Sequence, residues 1–248
     1  IDLSYNQIGD EGAKALAAAL VISKSLTGIN LTCNEIGNEG AKALATTLGT
    51  SKTLTAINLS CNRIRDEGIK ALAATLTTSK TLTLINLSGN QIGDDGAKAL
   101  AAALRISESL THINLYCNLI GDEGAKALAA ALRISKSISQ IDLSYNQIGD
   151  EGTKALVEAL RVNYTILTFH TAYYRNEFHE LLRRNEALRW ENQHAVLLDM
   201  CIAMQPLGLP AYVLLWIYNQ FGPGQAATNQ FKKISLIESI IESVRAIK

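Results

Sequence analysis

From Leu26 to Leu48 the chain reads LTGINLTCNEIGNEGAKALATTL, and this stretch decides the fold. The same pattern returns every 28 residues, and its most constant member is an asparagine, found at Asn6, Asn34, Asn62, Asn90, Asn118 and Asn146. A fixed period of this length is typical of a solenoid, in which each unit is stable only against its neighbours. The sequence therefore predicts an extended repeated surface rather than an enclosed pocket.

Each repeat combines a short strand with a helix. Leu26, Ile29 and Leu31 have the spacing of a strand buried on one side, while Gly28 and Asn30 face the other way. The repeated asparagine ends the strand, and we expect its amide to bond the backbone of its own repeat and the next, forming a structural ladder. Leucines four residues apart then predict a helix with one buried face. The expected helix N-caps are Asp10, Asn38, Asp66, Asp94, Asp122 and Asp150.

The repeat resembles the leucine-rich repeat family in its ribonuclease-inhibitor-like subtype. The match to LxxLxLxxNxIGDEGAKALAxAL covers Ile1 to Leu160, and the units are similar to those of NOD-like receptors and bacterial effectors. The resemblance implies an α/β fold, a right-handed horseshoe arc with parallel β-strands on the concave face and α-helices on the convex face. It also implies that the concave strands bind a protein partner.

The period ends after Leu160, and this divides the chain. Residues 1–190 are predicted to be the leucine-rich repeat domain, comprising 28-residue units and a degenerate terminal unit that closes the core. Residues 191–248 are predicted to be a helical C-terminal extension, which acts either as a cap or as a recruitment module.

Composition narrows the classes of function. Lys plus Arg equals Asp plus Glu, at 23 each, whereas a nucleic-acid binder normally carries a basic excess. No apolar run approaches the roughly 20 residues of a membrane span. The repeat itself explains most polar positions, and no nucleophile–base pair, phosphate loop or carboxylate pair stands out. We therefore expect a protein that is not an enzyme, with no cofactor and no metal.

The register of the repeats predicts which residues form a partner-binding surface. Most positions on the predicted concave face are small and neutral, and bulky side chains collect toward its C-terminal end. Tyrosine supplies a large contact area and a hydrogen bond at little cost in rotamer entropy. The predicted partner-binding residues are His112, Asn114, Tyr116, Gln140, Asp142, Tyr145, His170 and Tyr173.

Two other functions stay open at this point. The stretch from Leu209 to Ile217 is similar to the start of an F-box, which would make the chain a substrate receptor of a ubiquitin ligase. The resemblance to leucine-rich repeats also includes Ran GTPase activators, which supply a catalytic arginine from a loop after a strand. Arg63 and Arg65 lie in such a loop.

The sequence also suggests a compartment and a mode of self-association. Asn30-Leu-Thr, Asn58-Leu-Ser and Asn86-Leu-Ser match the N-glycosylation pattern, and glycans there would obstruct the concave face. We therefore expect a cytoplasmic protein, or one in a host cell's cytoplasm if it is a secreted effector. The chain starts at Ile1 in mid-repeat, so we expect preceding residues in the native protein. The open first rung is expected to allow self-association.

Overall fold

The computed structural model describes residues 1–171 and 178–188. In these residues helices and strands alternate along the chain, and residues 178–188 are also helical. The elements are α1 (Gly9–Ile22), β1 (Gly28–Asn30), α2 (Asn38–Thr50), β2 (Ala56–Asn58), α3 (Asp66–Leu76), β3 (Leu84–Asn86), α4 (Asp94–Leu104), β4 (His112–Asn114), α5 (Asp122–Leu132), β5 (Gln140–Asp142), α6 (Asp150–Val162) and β6 (Thr168–His170).

The strands form one parallel sheet in the order β1-β2-β3-β4-β5-β6. Each residue pairs with the residue 28 positions later, so that Ile29 faces Ile57 and Asn30 faces Asn58. Because the register equals the repeat period, equivalent residues of all repeats form continuous rows across the sheet. The predicted α/β solenoid, with parallel strands inside the arc and helices outside it, is confirmed.

The core lies between the strands and the helices, and it repeats with every rung. Ile57, Leu59 and Leu72 are completely buried, and their counterparts in neighbouring repeats occupy the same positions. Fully burying such a side chain contributes about 1.5–3 kcal/mol. Each rung buries its leucines against the adjacent rungs, which is why one repeat could not fold alone.

The repeated asparagines form a ladder whose direction differs from our prediction. The Nδ2 of Asn62 donates to the carbonyl oxygens of Leu31, Leu59 and Ser60 at 2.9, 3.1 and 3.0 Å. Its Oδ1 accepts hydrogen bonds from the backbone N–H groups of Asn34 and Ile36. Leu31, Asn34 and Ile36 belong to the preceding repeat. From Asn34 to Asn146, each ladder asparagine thus joins its own rung to the one before it, not to the one after.

The expected N-cap residues also act on a neighbour. Asp122 is the first residue of α5, yet its Oδ1 accepts from the backbone N–H groups of Gly149 and Gly152, both at 2.8 Å. Gly149 is the N-cap residue of α6. A Cβ at Gly152 would lie 2.6 Å from the same carboxylate oxygen, so glycine permits this close approach. The prediction that each acidic residue caps its own helix was wrong, because it caps the next helix.

The helical residues 178–185 close the C-terminal end of the core of the repeat unit. Phe178 is buried and stacks on Phe169 with ring centroids 4.8 Å apart. The guanidinium of Arg184 donates to the carbonyls of Leu160 and Arg161, at the end of α6, and lies over the Tyr164 ring. These contacts satisfy carbonyl groups that a helix end leaves without partners.

The repeats form one compact unit, Ile1–Asn185. The predicted boundary between residues 190 and 191 lies outside the described residues, and so does the predicted C-terminal extension. Among the residues that the structure describes, no helix has the length and apolar character that crossing a membrane requires.

Candidate protein-binding surface

The sheet presents a central row of amide and acidic side chains on the concave face. Asn58 Oδ1 accepts from the backbone N–H of Ser60 at 3.0 Å, and Asn86 and Asn114 make the same bond two residues ahead. This local turn uses the acceptor oxygen of each side chain. Within the described residues the Nδ2 groups of these three asparagines have no hydrogen-bond acceptor, so they offer a row of donors to a ligand.

Two predicted site residues, Tyr116 and Tyr145, meet across neighbouring rungs. Their ring centroids lie 4.9 Å apart and the rings are tilted by 55°. Tyr116 remains 38% exposed and Tyr145 70% exposed. The two rings therefore contact each other while both stay accessible to solvent. Desolvation raises the pKa of the Tyr116 phenol, and nearby Tyr145, Cys117 and Asp142 raise it further. Tyr116 therefore stays a neutral hydrogen-bond donor at physiological pH.

The residue before each ladder asparagine has a left-handed backbone, which the sequence analysis missed. Tyr145 has φ 57° and Cys117 has φ 54°, while Gly89 has φ 63° in the same row. Non-glycine residues adopt this conformation uncommonly. The glycine at position 89 was the available signal for it. The conformation recurs at the ends of the strands, where it holds Tyr145 in an exposed position.

The remaining predicted residues lie on the same side of the sheet, with one outside the described residues. His112 is half-buried, with Nδ1 2.6 Å from the hydroxyl of Thr111, and it pairs in register with exposed Gln140. Asn114 pairs with Asp142, which pairs with exposed His170 of β6. Tyr173 lies in the gap that the structure does not describe.

Leu84 was not among the predicted binding residues, and the structure adds it. This side chain is 37% exposed on β3 and pairs in register with His112. It extends the bulky part of the face by one rung toward the N-terminus. Leu84 occupies a row that holds Gly28 in β1 and Ala56 in β2, and this contrast in size was the signal that could have identified it.

Charge is scarce on this face. In the described part of the central row, the acidic side chains are Asp2 in the first rung and Asp142, next to His170. A hydrogen bond from the Ser4 side chain, followed by one from the Ser4 backbone, lowers the pKa of Asp2. A ligand on this face would therefore be held by apolar contact and neutral hydrogen bonds more than by ion pairs.

Comparison with known proteins identifies the family. A family model described as Leucine Rich repeat matches residues 1–17, 23–45, 50–73, 78–101, 107–129 and 135–157, together more than half of the chain. The chain belongs to the leucine-rich repeat family. Its units are of the ribonuclease-inhibitor-like type. No curated protein is significantly similar to it in sequence.

Two solved structures resemble this leucine-rich repeat arc. The actin-binding site 2 of leiomodin-1 is 17% identical with a TM-score of 0.56, and the match covers 65% of this chain and 96% of that one. The tropomodulin C-terminal domain from Caenorhabditis elegans is 18% identical with a TM-score of 0.50, covering 73% and 97%. At these identities the likeness shows the fold alone.

The two arginines considered for GTPase activation lie beside the leucine-rich repeat helices, near their N-termini. Arg63 Nη2 lies 3.1 Å from Glu35 Oε2 in the preceding repeat. Arg65 Nε donates to Gln91 Oε1 at 2.8 Å in the following repeat, and its backbone N–H donates to Asn38 Oδ1. Both side chains thus make contacts between rungs. The F-box-like stretch, 209–217, lies outside the described residues.

Cysteines line part of one leucine-rich repeat row without forming disulfides. In the described part of the chain, Cys33, Cys61 and Cys117 are free thiols. Burial, together with a hydrogen bond that the Cys61 thiol donates to Cys33, raises the pKa of the Cys61 thiol. A raised pKa keeps this sulfur protonated, and the thiolate is the form that attacks substrates or binds metals.

Proposed function

We propose that this chain is a non-enzymatic protein-interaction scaffold that holds a protein partner on its concave strand face. It acts in the cytoplasm, as part of a larger sensor or of an effector delivered to a host cell. The observation that carries the proposal is the exposed Tyr116–Tyr145 pair. Paired aromatic side chains left open on a rigid sheet are typical of the anchors that dominate protein interfaces.

The surroundings of the pair support a protein as the ligand. Leu84 provides apolar area one rung before Tyr116, and the Nδ2 groups of Asn86 and Asn114 provide donors for backbone carbonyls. The face is long and shallow, which suits a protein segment better than a small molecule, because small ligands need concave pockets that bury most of their surface.

Site-specific crosslinking tests the proposal. A photoreactive phenylalanine analogue would replace Gln140, which is exposed on the strand face, and separately Lys126, which lies on α5 on the convex side. We expect illumination in a lysate of the source or host cells to link a protein to position 140 and not to position 126. Equal labelling at both positions, or labelling at 126 alone, would contradict a concave binding surface.

The two enzyme-linked alternatives have tests of their own. A ubiquitin-ligase receptor would pull down the ligase adaptor through residues 209–217. A Ran-type activator would stimulate GTP hydrolysis, and Arg63→Ala or Arg65→Ala would abolish the stimulation. We rank the ubiquitin-ligase receptor second and the Ran-type activator third, because Arg63 and Arg65 already contact adjacent rungs.

Self-association through the first rung is a further proposal. Leu3, Ile8 and Leu16 are half-buried there, and they line an open groove of about 650 Å³. A second copy of the chain could cover this apolar surface. Light scattering after gel filtration across a range of concentrations tests it: a mass that rises toward a dimer and falls again in Ile8→Glu supports it, and a constant monomer mass refutes it.

A further inference from the structure

The edge of the arc where α4, α5 and α6 end carries exposed aliphatic side chains beside arginines. Ile106 is 62% exposed, Ile134 53% and Val162 48%. These residues occupy equivalent positions in successive repeats and therefore form a row. Each follows an arginine, the pairs being Arg105-Ile106, Arg133-Ile134 and Arg161-Val162.

The fold does not require aliphatic residues at these positions. The same row contains exposed Thr50 at the end of α2 and exposed Thr78 after α3, in repeats whose cores are equally well buried. Ile22 at the end of α1 is exposed as well, but the two threonine rungs separate it from the others. Exposed aliphatic side chains that recur at equivalent positions of neighbouring rungs mark this edge as a candidate interaction site. We call Arg105, Ile106, Arg133, Ile134, Lys136 and Val162 the basic–aliphatic edge.

Exposed basic side chains outnumber acidic ones at the edge where α4, α5 and α6 end, although the net charge of the chain is zero. Exposed Arg105, Arg133 and Lys136 lie at the helix C-terminal edge. The helices begin at the opposite edge with pairs of acidic residues, such as Asp94-Asp95 and Asp122-Glu123. A ligand approaching the basic–aliphatic edge therefore meets positive side chains interleaved with apolar ones.

We propose that the basic–aliphatic edge binds an acidic amphipathic segment of a partner protein. Carboxylates in such a segment pair with Arg105 and Arg133, and its apolar side chains cover Ile106 and Ile134. Arginine is suited to this role because its planar guanidinium pairs with carboxylates in a bidentate manner. The edge is distinct from the concave face, so it offers the scaffold a second docking surface.

Charge argues against two other occupants. Helix C-termini carry about half a negative charge each, which offsets part of the basic potential, and exposed Glu108 lies in the same edge. A densely anionic lipid surface is therefore a poorer match than a segment with a few carboxylates. The chain's own residues 231–248 contain four basic and two acidic residues, so their charge does not complement the edge.

Peptide selection tests the proposal with the full chain. Phage-displayed random peptides would be selected on the wild-type protein, with counter-selection on Ile106→Thr/Ile134→Thr. This variant copies the threonines that the fold already holds at positions 50 and 78, so it should fold. We expect the enriched peptides to combine Asp or Glu with Leu, Ile or Phe, and their dissociation constants to rise at least tenfold in the variant.

Two control variants separate this edge from other surfaces. Leu119→Gln lies near the helix N-termini and copies Gln91 and Gln147 of the same row. Tyr116→Ser lies on the concave face. We expect neither control variant to weaken binding of the selected peptides. The proposal for this edge can therefore be refuted without refuting the proposal for the concave face. Arg105→Thr/Arg133→Thr should weaken binding and reduce its salt dependence, because it removes the paired charges.

Four results would overturn the proposal. The first is an absence of enriched peptides that distinguish wild type from Ile106→Thr/Ile134→Thr. The second is enrichment of basic rather than acidic sequences. The third is sedimentation of the wild type, but not of the variant, with phosphatidylserine–phosphatidylcholine vesicles while no peptide binds, which would assign the edge to a membrane. The fourth is a wild-type dimer that this variant abolishes, which would assign it to a second copy.

Discussion

At the scale of single residues, the ladder asparagine holds neighbouring rungs together through its short amide. Asn90 Nδ2 donates to the carbonyls of Leu59, Leu87 and Ser88, while Oδ1 accepts from the backbone N–H of Ile64. These backbone groups come from two successive repeats and lie in the interior, where water cannot replace the amide. A side chain with only a donor or only an acceptor could not satisfy them.

We expect Asn90→Ala to lower the free energy of unfolding by at least about 2 kcal/mol, since each orphaned buried polar group costs about 1–3 kcal/mol. Urea denaturation followed by circular dichroism measures the effect. Asn6→Ala is the matched control. Asn6 is exposed and donates to carbonyls of its own rung, those of Leu3 and Ser4. Equal losses for the two variants would contradict the role of the ladder in joining rungs.

At the scale of elements, each helix from α2 to α6 is capped by a side chain of the helix before it. Asp94 accepts from Gly121 and Gly124, and Asp122 repeats the arrangement with Gly149 and Gly152. The carboxylates also lie at the positive ends of the next helix dipoles, where negative charge is stabilising. Capping therefore couples the formation of one helix to that of its neighbour.

Asp122→Ala should destabilise the chain by about 1–2 kcal/mol, as loss of an N-cap oxygen usually does. Asp122→Asn should cost clearly less, because Asn38 already makes the same bonds to the backbone N–H groups of Arg65 and Gly68. Thermal denaturation of the two variants provides the comparison. An asparagine variant as unstable as the alanine variant would show that charge, and not the capping bond, dominates.

The exposed ion pairs on the helices give a small dependence of stability on pH. A hydrogen bond from Lys70, with its charge, lowers the pKa of Glu67 from its ordinary 4.5, and the same pair raises the pKa of Lys70. A lowered carboxyl pKa stabilises the fold above the unfolded pKa, and this stabilisation disappears as the pH falls through the folded value.

We therefore expect Glu67→Gln to be slightly less stable than the wild type at about pH 6 and equally stable at about pH 3. Urea midpoints at the two pH values measure this difference. The effect should shrink in concentrated salt, because both side chains are largely exposed. A difference that persists at the lower pH would mean that Glu67 acts through packing.

At the scale of the whole molecule, the C-terminal cap determines how firmly the last rung is held. Asn185 is completely buried, and its Nδ2 donates to the carbonyls of Asn163 at 3.0 Å and Ile166 at 2.7 Å. In a solenoid each rung depends mainly on its neighbours. Asn185→Ala should therefore speed amide hydrogen exchange in β6 and leave β3 unchanged. Uniform acceleration across the sheet would mean that the arc unfolds as a single unit.

The sequence predicted correctly which residues share a row of the arc, but it misassigned the side-chain hydrogen bonds between rungs. Both outcomes have one physical reason. The period determines which residues share a row, so the register of Asn30 with Asn58 followed directly. However, every repeat carries the same residues, so the sequence cannot distinguish a bond within a repeat from a bond to its neighbour. The partners of Asn62 and Asp122 were misassigned in this way. Arg184 and Asn185 occur once, and no period indicated their contacts.

The sequence predicted which residues share each row of the concave face. Which of these residues bind a partner remains a prediction. Tyr116 and Tyr145 stand out because their counterparts in other rungs include Ser88 and Gly89, which are much smaller. The contact between their rings occurs where Tyr145 has a left-handed backbone, a conformation that the tyrosine itself does not indicate. The sequence therefore identified the two residues, while the structure showed that they form a pair.

The most direct test of a concave binding surface is the dissociation constant of the crosslinked partner, measured by calorimetry. Tyr116→Ser/Tyr145→Gly copies residues of neighbouring rungs and should weaken binding about 30-fold or more, equivalent to about 2 kcal/mol. Lys126→Gln on the convex side should leave the constant unchanged. Unchanged binding by the tyrosine variant, with weaker binding by the convex variant, would contradict the account.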